Sequence, residues 1–395
     1  MEDYSLPFLL LFGALNIALF IAGYLGKISK FPSIIFYIFS GILLGHFVHE
    51  EKTIEQFSEI GIVLLFFYLG LEFTIERGIG TAKKIWIVGI LDFLFGFLTI
   101  FLVMLLLGFD MFTSLIAGGV AYASSSAITT KIIIDNHRIA NPETEIILGL
   151  MVFEDLIAPI ILAIIAGMAS GNGFSIYSLA FIILKIIAVF IFVGIVAYFF
   201  RGYLSKFIDQ FLEEDIFTLF SLGSMILFAG ITQYIGLSEA LGAFLMGVII
   251  AETGKSHEVE RAMYSIRDLA VAIFFFIFGA SIQFSSHFES KMILAFILVI
   301  FLSITGKFLT GFIGGMVYGL SKKASIITGL SIINRGEFSI VMSKYAHPIL
   351  IPLIGMYVLT MAILGIITAQ FAPWISKKLV PKKKKKREVP SYLKD

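Results

Sequence analysis

Gly149-Leu-Met-Val-Phe-Glu-Asp-Leu-Ile-Ala-Pro159 sets two adjacent carboxylates, Glu154 and Asp155, in the middle of an apolar segment. That segment, Glu145 to Met168, is long enough to cross a bilayer as a helix. A charge at such depth is costly, so it faces a water-filled cavity or a partner and marks an ion or proton path. Two neighbouring carboxylates do not both ionise freely, so a proton and a metal cation compete for them. Exchange of a cation for a proton needs that competition.

Composition points to the same environment. Of 395 residues, 58% are hydrophobic and 14% charged, and the mean hydropathy is +0.98. A soluble domain has no way to bury so much apolar surface, whereas a polytopic membrane protein presents it to lipid. The formal net charge of +1 calls for no nucleic-acid partner. Cysteine is absent, which excludes disulfides and thiol chemistry, and the six histidines show no HExxH or comparable spacing. The start, Met1-Glu-Asp-Tyr-Ser, lacks a basic leader region and runs into a full-length apolar stretch, read as the first span.

Thirteen hydrophobic stretches follow one another, starting near Leu6, Phe31, Phe57, Ile85, Met111, Glu145, Ile176, Ile216, Ser238, Ser265, Lys291, Lys323 and Pro348. Alternate connections are basic: Lys27, Arg138, Arg201, Lys206 and Arg261 fall on one side with the run Lys382-Lys-Lys-Lys-Lys-Arg387. The other side holds Lys52, Lys291 and Lys344. The positive-inside rule then gives an N-out, C-in cell-membrane protein, with the basic tail 374–395 facing anionic lipid headgroups. Thirteen spans divide as six, one and six, the arithmetic of an inverted repeat. The fifth member of each half is polar in mid-span: Gly118-Gly-Val-Ala-Tyr-Ala-Ser-Ser-Ser-Ala-Ile-Thr-Thr130 and Gly329-Leu-Ser-Ile-Ile-Asn-Arg-Gly-Glu-Phe-Ser339. Interrupted helices at matching positions point to a transporter's binding site.

From these residues, Asp155 is expected to be the shared cation and proton site. Glu154 is a second carboxylate, and Ser126, Thr129 and Thr130 are candidate oxygens for a hard monovalent cation such as Na+ or K+. Crossed half-helices bring like helix ends together, so Glu337 is expected to serve the positive ends and Arg335 the negative ends or a carboxylate. Asp92 and Lys185 lie mid-span without a motif to assign them, and Glu239 and Glu252 mark span ends expected to be solvated. No other cofactor is expected.

Seven pieces in this order resemble the monovalent cation:proton antiporter superfamily, in the branch of sodium/proton and Kef-type potassium/proton exchangers. They are Phe66-Phe-Tyr-Leu-Gly-Leu-Glu72, Ser124-Ser-Ser-Ala-Ile128, Phe153-Glu-Asp-Leu-Ile-Ala-Pro159, Gly236-Leu-Ser-Glu-Ala-Leu-Gly-Ala-Phe-Leu-Met-Gly-Val248, Phe275-Phe-Ile-Phe-Gly279, Gly306-Lys307 and Arg335-Gly-Glu-Phe338. The resemblance spans about Phe8 to Pro373. It implies an all-α homodimer in which residues 1–373 form the antiporter unit. A dimerisation panel falls at about 6–80 and 214–286, a core at about 85–170 and 288–373, and a linker helix at about 176–200. It also implies that Lys307 pairs with the acidic site. The family carries Asp-Asp, Asn-Asp or Gln-Asp where this chain has Glu154-Asp155, which leaves stoichiometry open. Kef-type chains continue into a nucleotide-binding regulatory domain; about twenty residues follow the last span here, so such regulation would need a separate subunit.

Secondary active Na+/H+ exchange is the leading expectation, from the doubly acidic site. K+/H+ exchange is the alternative, from the Kef-like motifs. A channel or sensor on the same fold is a third reading, although a single deep carboxylate site suits alternating access better than multi-ion conduction. The chain carries no nucleotide loop, nucleophile motif or metalloprotease spacing that would make it an enzyme.

Overall fold

In lipid, a helix satisfies every backbone polar group within its own segment. The computed structural model describes residues 7–29, 31–47, 52–138, 140–169, 176–211, 216–282 and 288–380, and all regular structure among them is helical. The run Lys382–Arg387 and the first residues Met1–Ser5 lie outside the described residues. In chain order the helices are α1 (Phe8–Ser29), α2 (Ser33–Leu44), α3 (Lys52–Leu71), α4 (Ile75–Asp92), α5 (Thr99–Leu106), α6 (Met111–Tyr122), α7 (Ser126–Asp135) and α8 (Pro142–Ala169). They continue as α9 (Ile176–Phe211), α10 (Phe217–Tyr234), α11 (Glu239–Glu252), α12 (Ser256–Ser281), α13 (Ser290–Val317), α14 (Lys322–Ser331), α15 (Glu337–Ser343) and α16 (Ile351–Leu379).

Eight helical segments are long and apolar enough to cross a membrane, and residues 33–44, 56–71 and 111–122 form shorter apolar ones. Two apolar stretches are broken, at residues 123–125 between α6 and α7 and at 332–336 between α14 and α15. Each first half starts at a side-chain cap: Asp110 accepts from the N–H groups of Phe112 and Thr113, and Ser321 from that of Ala324. A π-helical turn, Phe93–Leu98, joins α4 to α5, where the Thr99 N–H and hydroxyl both bond the Leu94 carbonyl. The sequence places a span start near Ser265, but α12 begins at Ser256. The helix continues into a polar first turn with Glu258, because backbone bonding does not stop where hydropathy does.

The helices pack in two groups. α1, α2, α3, α10, α11 and α12 contact chiefly one another, as do α4 to α8 with α13 to α16; α9 lies against α8 and α11. The first group contains two crossings at backbone distance. A Cβ on Gly70 of α3 would stand 2.0 Å from the Phe244 carbonyl oxygen, and one on Gly247 of α11 would stand 2.2 Å from that of Phe67. The α2–α12 crossing repeats this, with Gly41 against the Phe276 carbonyl at 2.0 Å and Gly279 against that of Ile38 at 2.1 Å. Without a hydrophobic drive between helices in lipid, such close backbone approach is what holds them.

Candidate functional site: carboxylates at two broken helices

Adjacent residues on a helix point about 100° apart, so Glu154 and Asp155 on α8 address different neighbours. Glu154 faces α4 and α13. Lys307 Nζ donates to Glu154 Oε1 at 2.8 Å and to both carboxylate oxygens of Asp92 at 2.7 and 2.9 Å. All three side chains are fully buried. A buried cation between two carboxylates is held by charge on both sides, and breaking such a group costs more than forming it gains. The Ser124 N–H, freed by the break in α6–α7, donates to Glu154 Oε2, and the Ser124 hydroxyl donates to the Ile332 carbonyl at 2.9 Å, tying one break to the other.

Asp155 has a different environment. Its Oδ1 is buried without a hydrogen-bond partner among the described residues. Its charged neighbours are the carboxylates of Glu337, Glu154 and Glu72, and Ser126 at the start of α7 lies beside both it and Glu337. Pro159 sits inside α8 and has no N–H to give to the residue four before it, so the Asp155 carbonyl loses its intrahelical donor. Pro373 does the same to Ala369 in α16, and there the Arg138 guanidinium donates to the freed carbonyl at 3.2 Å.

The crossover is satisfied by side chains at both kinds of helix end. Arg335 donates to the carbonyls of Ala121, Ile333 and Asn334 at 3.0, 3.0 and 2.9 Å, covering the negative C-terminal ends of α6 and α14. Glu337 lies in the first turn of α15, at a positive end, and accepts from the Ser125 hydroxyl at 3.1 Å. Asn334 stitches the breaks together, accepting from the Ser125 N–H at 3.0 Å and donating to Thr129 Oγ1 at 2.9 Å.

Of the candidate oxygens, Ser126 is therefore at the Asp155 carboxylate, while the buried Thr129 hydroxyl accepts from Asn334 and Thr130 follows it, half-buried, on α7. Lys307 meets Glu154 but shares itself with Asp92, which the sequence leaves unassigned; the signal for Asp92 was its mid-span charge. Lys185 instead donates to the Ile235 carbonyl at 2.6 Å and lies over the Phe181 ring. Glu239 is 8% exposed rather than solvated and pairs with Lys344 at 2.9 Å; Glu252 accepts the Ile75 N–H at 2.6 Å. Among the described residues, no three His, Cys, Asp or Glu side chains group as a metal cage.

A helical membrane unit whose crossed breaks enclose a deep carboxylate is a transporter architecture. Residues 16–378 match the family described as sodium/hydrogen exchanger, transmembrane, and the chain belongs to that family. It is a multi-pass membrane protein. The chain is 39% identical to the ammonium/H+ antiporter subunit AmhT of Alkalihalophilus pseudofirmus, over 96% of this chain and 97% of that one. It is 34% identical to the K+/H+ antiporter subunit KhtU of Bacillus subtilis, over 87% and 88%. The solved sodium proton antiporter MjNhaP1 of Methanocaldococcus jannaschii shares the fold, with a TM-score of 0.59 at 18% identity over 94% of this chain and 99% of that one.

Proposed function

We propose that this protein exchanges a monovalent cation for protons by alternating access, with Asp155 as the group for which the two compete. One observation carries the proposal: Asp155 Oδ1 is buried without a partner among three further carboxylates, where only a bound cation or a proton balances its charge. The Ser126 hydroxyl and the Asp155 carbonyl supply further oxygens, while Glu154 is engaged by Lys307 and acts through position and charge. Glu337 and Arg335 hold the crossover. No step needs catalysis of a covalent reaction.

Sodium and potassium both fit the family. Of the two features that favour sodium, the doubly acidic site and the lack of a Kef-type regulatory domain in the sequence, the first is weakened because Glu154 is engaged by Lys307. The two relatives described above are named for ammonium and K+, ions of larger radius than Na+. We therefore place K+ and ammonium ahead of Na+ as cargo. The names of those relatives as subunits support a separate partner subunit.

The same reading takes the chain as thirteen spans, N-out and C-in, in a six-one-six inverted repeat. The paired glycine crossings α3–α11 and α2–α12 support it, since exchanging the halves maps one onto the other. So do Pro159 and Pro373, each inside the last helix of its half. The first packing group would be the dimerisation panel of a homodimer and the second the moving core. Proteoliposomes loaded with a pH-sensitive dye and challenged with K+, ammonium, Na+ or Li+ test the function. Cation-driven proton flux with K+ or ammonium is expected; no flux with any cation would refute exchange, and flux with Na+ alone would reverse the order of cargo.

A further inference from the structure

Three cavities follow one another along a single face of α9. At one end is a chamber of about 490 Å³ lined by Glu76, Lys83, Arg201 and Glu252. Ile75 is shared with the next cavity, about 260 Å³, whose walls include Leu156 of α8, Val193 and Gly194 of α9, and Phe244 and Val248 of α11. Phe190 is shared with the third, about 310 Å³, lined by Ile160 and Ile164 of α8 and by Ile183 and Ile187 of α9. The trough therefore lies where the linker helix meets both packing groups.

The chemistry of the trough decides its occupant. The two inner cavities are lined wholly by Ile, Leu, Val, Phe and Gly, and offer no side-chain oxygen to replace the hydration shell of an ion. Their wall suits a hydrocarbon chain. From Arg201 to Phe190 the helix advances about 16 Å at 1.5 Å per residue, close to the depth of one leaflet of a roughly 30 Å hydrocarbon core. Among the described residues, the chamber at the polar end carries two cations and two carboxylates, which matches a zwitterionic headgroup. A phosphate is bound by Lys83 and Arg201 through charge-assisted hydrogen bonds. An ammonium with N–H groups is bound by Glu76 and by Glu252, whose Oε1 takes the Ile75 N–H and whose second oxygen still accepts.

Gly194 lies on the wall of the middle cavity. A Cβ there would meet nothing within 4 Å, in the interior of a 36-residue helix where glycine costs about 0.5–1 kcal/mol relative to alanine. No neighbouring helix demands the glycine, and a larger side chain at this position would project into the trough.

We infer that this trough is a binding site for one phosphatidylethanolamine-type phospholipid, its headgroup in the Lys83–Arg201 chamber and an acyl chain between α8, α9 and α11. The site depends only on membrane embedding, so it stands or falls separately from the transported cation. The lipid touches both packing groups, and its occupancy therefore biases any sliding between them.

The test uses the full chain, delipidated in mild detergent and titrated by native mass spectrometry with phosphatidylethanolamine, phosphatidylglycerol and phosphatidylcholine of identical acyl chains. Wild type is expected to retain one phosphatidylethanolamine per chain about tenfold more tightly than the other two lipids, equivalent to about 1.4 kcal/mol. Gly194→Leu, which fills the trough, is expected to abolish that preference without lowering the melting temperature in the absence of lipid. Lys83→Gln with Arg201→Gln, at the protein surface, is expected to weaken all three lipids, and Glu76→Gln to reduce the preference over both phosphatidylcholine and phosphatidylglycerol. Equal binding of the three lipids by wild type, or wild-type binding by the Lys83/Arg201 variant, overturns the inference. Should Gly194→Leu melt lower without lipid, the surface variants alone decide.

Discussion

Asp155 and Lys307 make opposite predictions from the same few ångströms of membrane interior. Asp155→Asn keeps the shape and a hydrogen-bonding side chain but removes the charge for which cation and proton compete. It is expected to abolish exchange in proteoliposomes while the purified protein still melts cooperatively; proton-coupled cation flux near the wild-type rate would end the assignment. Lys307→Gln leaves Asp92 and Glu154 buried against each other without a cation, which costs about 3–5 kcal/mol for a broken buried pair. Asp92→Asn should cost less, because Lys307 keeps Glu154. Since two carboxylates hold Lys307, the fall in melting temperature of Lys307→Gln should be equal with and without saturating K+. A fall confined to the cation-free protein would mean that Lys307 changes partner during exchange. The sequence made Asp155, Glu154, Arg335 and Glu337 legible because a charge in an apolar run is conspicuous. It marked Lys307 as a partner of the acidic site through the family resemblance but hid Asp92 as the second partner, because α4, α8 and α13 meet only in three dimensions. It hid Asn334 for another reason: an uncharged amide inside a polar break looks like any loop residue, and its two bonds to the other break appear only when the breaks cross.

Helix by helix, the apolar runs were readable from hydropathy and the breaks from their serines and charges, but not where polar helix continues past the bilayer, as at Ser256. The glycine crossings also escaped pattern reading, since a lone glycine in an apolar run does not name its opposite number. Their energetics are testable. Gly247→Ala gains up to about 1 kcal/mol of helix propensity, yet its methyl would stand 2.2 Å from the Phe67 carbonyl oxygen and must push α3 from α11. Overpacking of this kind costs about 1–3 kcal/mol, so net destabilisation is expected. Gly202→Ala in α9 meets nothing within 4 Å and should be neutral or mildly stabilising. Thermal melts of the two variants in detergent separate the cases, and equal melting temperatures would remove the crossing from the account. At the crossover, Arg335→Lys retains the charge but not the planar fork that reaches Ala121 on α6 and Ile333 in the other break. It is expected to melt below wild type even though charge is conserved.

Across the whole molecule, Lys344 is an ion-paired link between the two packing groups at the end opposite the α9 chamber. It follows α15 and reaches Glu239 of α11 at 2.9 Å and Glu59 of α3 at 3.5 Å. Burial pulls the Lys344 ammonium down, but attraction to Glu239 and Glu59 outweighs it, leaving its pKa above the ordinary lysine value. A base whose folded pKa is raised contributes stability that is fully present below its unfolded pKa, about 10.4, and is lost as pH rises through the folded value. The link is therefore intact throughout the neutral range and is not a pH sensor there. Lys344→Gln is expected to change the turnover rate by freeing one group from the other, without moving the pH at which activity is half-maximal between pH 6 and 9. A displaced midpoint would show that Lys344 titrates in the working range.

The π-helical turn after Asp92 has a consequence for how this chain tolerates insertions and deletions. Phe93–Leu98 holds one more residue than an α-turn needs, and it stands between the Asp92 carboxylate and α5. Removing any one of these apolar residues would leave hydropathy unchanged and let α4 and α5 fuse into a regular helix. With α5 fixed by its neighbours, everything before the deletion would turn by about 100°, carrying Asp92 away from Lys307. A one-residue gap at this spot would thus be invisible to any measure of membrane insertion and decisive for the ion-paired centre.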